Sequence, residues 1–153
     1  MSSLRRTLRS LHGNKVAAAI EELHRSEDDM AADLLHLSDR HRVDHEVHHV
    51  ARDIAGWSRE HVRRLAEVGR SYDLDLDPDA SGPGLLAGVR RKVADLTGRA
   101  HEPSLILLAD LRHVHRHAAG VSLDWEVLAQ TAQAMQDDDL LAGIDHGQNH
   151  VAA

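Results

Sequence analysis

The sequence predicts an all-α protein, an antiparallel four-helix bundle with a long crossover between its second and third helices. Three observations carry that expectation. Apolar residues recur at steps of three, four or seven along every long segment, the period of a helix buried on one face. No segment sustains the apolar–polar alternation of a half-buried strand. The longest interruption, SYDLDLDPDASGPG at Ser71 to Gly84, falls mid-chain, where Pro78, Gly82, Pro83 and Gly84 forbid continuous helix and separate two hairpins.

Residues 1–13 contain Arg5, Arg6 and Arg9 with no acid through His12, and are expected to form a flexible basic arm. Asn14 is a suitable N-cap for the first helix, whose stripe reads Val16, Ile20, Leu23, Glu27, Met30, Leu34 and His41. A break near Asp39 to Arg42 is short enough to make the next helix an antiparallel neighbour. That second helix carries Val43, Val47, Val50, Ile54, Trp57, His61, Leu65 and Val68. Beyond the crossover, Leu85 to Leu96 is helical with Val89 and Val93 on its stripe. Gly98 and Glu102-Pro103 then predict a kink or break near Pro103, because proline cannot continue the hydrogen-bond ladder. Leu105, Leu108, Leu111, His115 and Ala118 complete the third helix, which Gly120 is expected to end. Ser122 or Asp124 would cap a fourth helix carrying Trp125, Leu128, Ala132, Met135 and Asp139. The helical domain is thus 14–143, with a patternless tail at 144–153 expected to be disordered.

Composition removes several functional classes. The chain has 153 residues, 42% hydrophobic and 28% charged, which is ample for one core and too apolar for a disordered chain. No apolar run approaches a membrane span. The absence of cysteine excludes disulfides, thiol catalysis and Cys-zinc sites. A formal net charge of −7 argues against a general nucleic-acid binder. Trp57, Trp125 and Tyr72 are the only aromatic residues besides histidine, so the core must be aliphatic. The 14 histidines direct attention to metals and protons.

Three constellations bear on chemistry. His45-Glu46-Val47-His48-His49 is a literal H-E-x-x-H, which on a helix places His45 and His49 to share a zinc while Glu46 activates its water. With Val50 on the core stripe, however, both histidines project roughly 100–140° away from it, toward solvent. His41, His45 and His48, and separately His113 and His117, are likewise expected on solvent faces. Asp73, Asp75 and Asp77 imitate the start of a calcium loop, yet Pro78 and Gly84 stand where that loop needs glycine and glutamate. The third constellation is internal. Glu27 and His61 occupy stripe positions where leucine belongs, and a turn near residues 41–44 brings them level in the hairpin. Folding back about Gly120 would add His101 or Glu102 and Asp139 to the same level. Carboxylates and imidazole projecting inward from four helices are the recipe for an iron or manganese site, so Glu27, His61, Glu102 and Asp139 are the candidate metal ligands.

The run E-D-D-M-A-A-D-L-L-H-L-S-D-R-H, followed by A-R-D-I-A-G-W-S-R-E-H-V-R-R-L, resembles the first hairpin of ferritin-like proteins. It is most similar to the small bacterial, stress-associated ferritin-like domains of the YciF type. Ser58, His61 and Leu65 match the Thr/Ser-x-x-His/Gln-x-x-x-Leu pattern of one helix, and Glu27 the inward glutamate of the helix packed on it. The resemblance implies a cytoplasmic, self-associating (dimeric) bundle with Fe or Mn between carboxylates and a neutral His61. Full di-iron ferritins carry glutamate three residues before that histidine, where this chain has Ser58, so a degenerate or single-metal site is implied rather than an enzyme. The alternatives are a metal-free helical interaction module, in which Glu27→Leu would be stabilising, and a small zinc hydrolase built on His45, Glu46 and His49.

Overall fold

The computed structural model describes residues 2–80 and 102–148, with side chains described for 13–80, 102 and 104–144. Every regular element among them is helical. Helix α1 spans Ser2–Arg40 and α2 spans His45–Gly69, which runs into a 3₁₀ turn at Arg70–Tyr72; α3 spans Pro103–Met135 and α4 Asp138–Gln148. No helix among the described residues is long and apolar enough to cross a membrane. The expected helix at Leu85 to Leu96, the candidate His101 and the last five residues lie outside the described residues.

Helix α1 begins at Ser2, ahead of the Asn14 cap that the pattern suggested, so the backbone of the expected arm is helical. Its buried line follows the expected stripe: Val16, Ile20, Leu23, Glu27, Met30 and Leu34 are buried, with Leu37 and Ser38 continuing it. The hairpin turn is set by Asp44, whose extended backbone and side-chain carboxylate cap α2 by accepting from the Val47 amide at 3.1 Å. Side-chain contacts then climb α2 as they descend α1: Ser38 meets His48, and Glu27 meets His61. Beyond the helix, His24 Nε2 reaches the Asp77 carbonyl at 2.9 Å and pins the segment after the 3₁₀ turn back onto α1. The two helices therefore run in opposite directions.

The face that α2 turns inward keeps His61 and Leu65 of the expected stripe and departs from it earlier in the helix. Ala51, Ala55, Ser58, Val62, Leu65 and Gly69 are buried, whereas Val50 and Trp57 are 50% and 44% exposed and Val43 lies in the open turn. Ala51, Ala55, Ser58 and Gly69 each sit one place along from a bulkier residue of the expected stripe, a rotation of about 100°. Small side chains let the α2 backbone approach α1 closely, and for the same reason they give a weak hydrophobic signal.

Helix α3 opens with Pro103 at its first position, where the missing N–H would have had no partner anyway. Pro103 thus starts a helix rather than kinking one. The helix runs through Gly120 to Met135 without interruption, so the expected second hairpin about Gly120 does not form. Along α1 and α3, Asp110 pairs with Arg40 and His41, Asp33 with His113 and His117, and Asp124 with Ser26. Their opposite order makes this pair antiparallel as well. Val121, Trp125, Leu128 and Ala132 supply the buried apolar face.

The end of α3 falls at Gln136, which takes a left-handed conformation (φ 54°) while the Asp137 amide bonds back to the Ala132 carbonyl at 3.0 Å. Asp137 then caps α4, accepting from the Leu140 amide at 3.0 Å, and receives the Tyr72 hydroxyl on its other oxygen. Asp139 consequently belongs to a separate short helix rather than to the Trp125 stripe. Leu140 and Ile144 bury α4 into the core. At Gly143 the contact with α2 is so close that a Cβ would lie 2.8 Å from a methyl of Val68. Because Val68 is β-branched and stiff about χ1, Gly143→Ala should cost roughly 1–3 kcal/mol, read as a lowered urea midpoint with unchanged slope.

Candidate functional site: a polar junction of three helices

Glu27, His61 and Trp125 each stand on the buried stripe of a different helix, and the three meet. His61 Nδ1 lies 2.7 Å from Glu27 Oε1, and Trp125 Nε1 donates to the same oxygen at 2.7 Å. With the carboxylate oxygen accepting, the ring proton of His61 sits on Nδ1. The His61 and Trp125 rings pack edge to face with centroids 5.4 Å apart. All three residues are buried, Glu27 to 2% exposure. A carboxylate so deep is tolerable only when it is hydrogen-bonded, and here two ring N–H groups converge on one of its oxygens. Among the described residues the backbones of α2 and α3 do not pack on each other, and at this junction their side chains touch through His61 and Trp125.

The arrangement limits the chemistry. An indole N–H donates a hydrogen bond and cannot ligate a metal, so Trp125 holds Glu27 Oε1 in a hydrogen-bonded state. Of the four candidate ligands, Glu27 and His61 are together and the other two are not. Glu102 is exposed at the start of α3, where its side chain makes no capping bond, and Asp139 is exposed in the first turn of α4. The cause is the uninterrupted α3, which carries Glu102 to one end of the helix and Asp139 past the other. Among the described residues no three His, Asp or Glu side chains gather as a metal site, so the donor set does not fit a multi-ligand iron or manganese centre. Sequence reading missed Trp125 as the third member. The signal was present, since a tryptophan on a buried stripe needs an acceptor for its N–H and Glu27 was the unmatched acceptor.

The histidine-rich turn is organised differently. His45 and His49 are exposed and stack on each other with centroids 6.1 Å apart, beside an exposed Glu46 and without a third ligand among the described residues. The H-E-x-x-H string therefore lacks the enclosed three-ligand geometry of a catalytic zinc. His48 turns the other way, its Nδ1 2.8 Å from Ser38 Oγ, which itself donates to the His48 carbonyl at 3.0 Å. Ser38 has no exposure at all, so this serine–histidine contact fastens the hairpin and offers no accessible nucleophile.

His113 is exposed as expected and His117 half-buried, and both reach across to α1. His113 Nε2 and His117 Nδ1 lie 3.0 and 2.9 Å from the same oxygen of Asp33. Burial alone would raise the Asp33 pKa, but hydrogen bonds from His117 and His113 outweigh it and hold the carboxyl below its ordinary value. The bond to Asp33 raises the His117 pKa against a smaller opposing effect of burial, and the negative field of Asp33, Asp29 and Glu27 adds to the rise. One turn closer to Pro103, Asp110 accepts from His41 Nε2 at 2.8 Å and Arg40 Nη1 at 3.3 Å. At the other end of the core, burial and then the Asp137 contact push the Tyr72 hydroxyl well above its ordinary range, so it remains a donor.

No family model matches the chain, and neither a curated protein nor a solved structure matches it.

The shared acceptor sets the sign of a test at Glu27. Replacing it with leucine strands two buried donors, so the single substitution Glu27→Leu should destabilise the fold by about 3 kcal/mol rather than stabilise it. In a Trp125→Phe background the same change should cost less, with a coupling of roughly 1–3 kcal/mol. A double-mutant cycle in urea measures this, and strict additivity would show that the two side chains do not interact.

Proposed function

We propose that the chain is a metal-free helical interaction module on a ferritin-like scaffold, with a hydrogen-bonded junction in the place of a metal centre. The observation that carries this reading is the double engagement of Glu27 Oε1 by His61 and Trp125, both at 2.7 Å. A carboxylate committed to an indole donor serves to position helices, and function then falls to their outer faces. On α3, Leu105, Leu108, Leu123 and Val127 are 49% to 62% exposed and fall on one side of the helix by the 100° spacing. Self-association as a dimer is the use of that face that this reading expects.

A second reading is a degenerate, single-metal carboxylate–histidine site for Fe or Mn. It is favoured by one fact: Glu27 and His61 do come together in the core, as a ligand pair would. The two readings separate on metal content. Tag-free wild type and Glu27→Gln, analysed by plasma mass spectrometry after iron or manganese loading and gel filtration, should both retain far less than one metal per chain. Near-stoichiometric metal in the wild type, lost in Glu27→Gln, would overturn the metal-free reading and establish the second.

A further inference from the structure

Helix α3 is held against α1 in two different ways along its length. Its buried apolar residues, Val121, Trp125, Leu128 and Ala132, all follow Gly120. Before Gly120, Leu107, Val114 and Ala118 are only partly buried, and Leu105, Leu108 and Leu111 are exposed. The ion pairs are distributed the opposite way. Asp110 with His41 and Arg40, and Asp33 with His113 and His117, all engage the part of α3 before Gly120. Gly120 itself has open space where a Cβ would stand, and a glycine inside a helix costs about 1 kcal/mol relative to alanine. The helix is weakest where its apolar anchoring stops and its histidine anchoring begins.

We propose that the part of α3 from Leu105 to His117 is a pH-released arm, docked on α1 while His117 is protonated and loosened about Gly120 when the His117–Asp33 link loses its proton. The groups facing His117 from α1 are Asp33, Asp29 and Glu27, all acidic; on its own helix His113 shares the Asp33 oxygen with it, and His115, Arg116, Arg112, Asp110 and Asp124 are the other titratable or charged neighbours; α4 follows at the far end of α3. The three facing carboxylates of α1 therefore favour the imidazolium, with His113 as the competing cation for Asp33. Because docking raises the His117 pKa, the docking energy from this residue is fully present below its ordinary value of 6.5 and is lost as pH rises through the docked value. Docking lowers the Asp33 pKa, so that contribution is present above the ordinary 3.8 and is lost only in stronger acid. The arm is thus tightest in mildly acidic solution and loosens toward alkaline pH.

Hydrogen exchange of the full chain by mass spectrometry at pH 6 and pH 8, corrected for intrinsic exchange rates, tests this. In the wild type, protection of peptides covering Leu105 to His117 should fall about three- to tenfold more between the two pH values than protection of Val121 to Ala132, as expected for partly exposed ion pairs acting together. His117→Gln should flatten that difference while leaving Val121 to Ala132 protected. Asp33→Asn, which removes the carboxylate instead of the imidazole, should flatten it as well. Gly120→Ala should raise protection of the arm at both pH values. Equal pH dependence in the two halves, a difference that survives in both His117→Gln and Asp33→Asn, or a loss of arm protection in Gly120→Ala would each overturn the proposal.

Discussion

The structure depends on one buried carboxylate oxygen. Glu27 Oε1 receives a donor from α2 and a donor from α3, and so it is the atom through which three helices are tied to a common level. A buried, unmatched carboxylate would be a heavy liability. Matched by two ring N–H groups, it becomes a constraint with direction and distance, which apolar contacts lack. The rest of the core can then be aliphatic: Val16, Ile20, Leu23, Leu34 and Leu128 fill space around a point that is already fixed.

That constraint explains the asymmetry of α3. From Val121 onward the helix shares the core of α1 and α2 and is anchored by area removed from water. Toward Pro103 it passes beyond the level of the junction, and partly exposed ion pairs take over. Such pairs contribute little individually and respond to pH, whereas buried apolar area does not. The same helix is therefore firm at one end and conditional at the other, with Gly120 between the two regimes.

Much of this was legible in the sequence, and the failures have physical causes. The stripe of α1 was read correctly from Val16 to Leu34 because large aliphatic residues at steps of three and four define one face unambiguously. The meeting of Glu27 and His61 followed from the turn position alone, since a short turn fixes which residues of two antiparallel helices stand level. Periodicity places His61 and Leu65 of α2 inward, as they are, but misplaces the first half of that face by one residue, because close helix packing selects Ala51, Ala55 and Ser58 while the conspicuous Val50 and Trp57 lie outside. Gly120 reads as a terminator, but glycine only weakens a helix, and here the segments on both sides follow one helical path. The true break at Gln136 was invisible because it depends on a left-handed backbone that glycine usually signals and glutamine does not. A break at Gly120 instead of Gln136 would fold α3 in two and carry Glu102 and Asp139 to the junction, which is why the pattern suggests a four-ligand metal site that the continuous helix keeps apart.

An aliphatic core has a specific weakness that the junction offsets. Leucine, isoleucine, valine and alanine pack against one another almost interchangeably, so helices lined by them can slide by one turn, about 5.4 Å, and bury a similar area. A slide of that size would pull Glu27 away from both His61 and Trp125 and leave a buried carboxylate with two stranded donors. The penalty applies to every register but the native one, and it applies to α2 and α3 at once because they share a single acceptor. Polar residues in the core thus act here as a selector among packings that hydrophobic burial leaves nearly equal, in the way that a lone buried asparagine fixes the register of a coiled coil. A chain with almost no aromatic bulk to lock its helices by shape places its one buried tryptophan at that point, with its polar edge turned inward to Glu27.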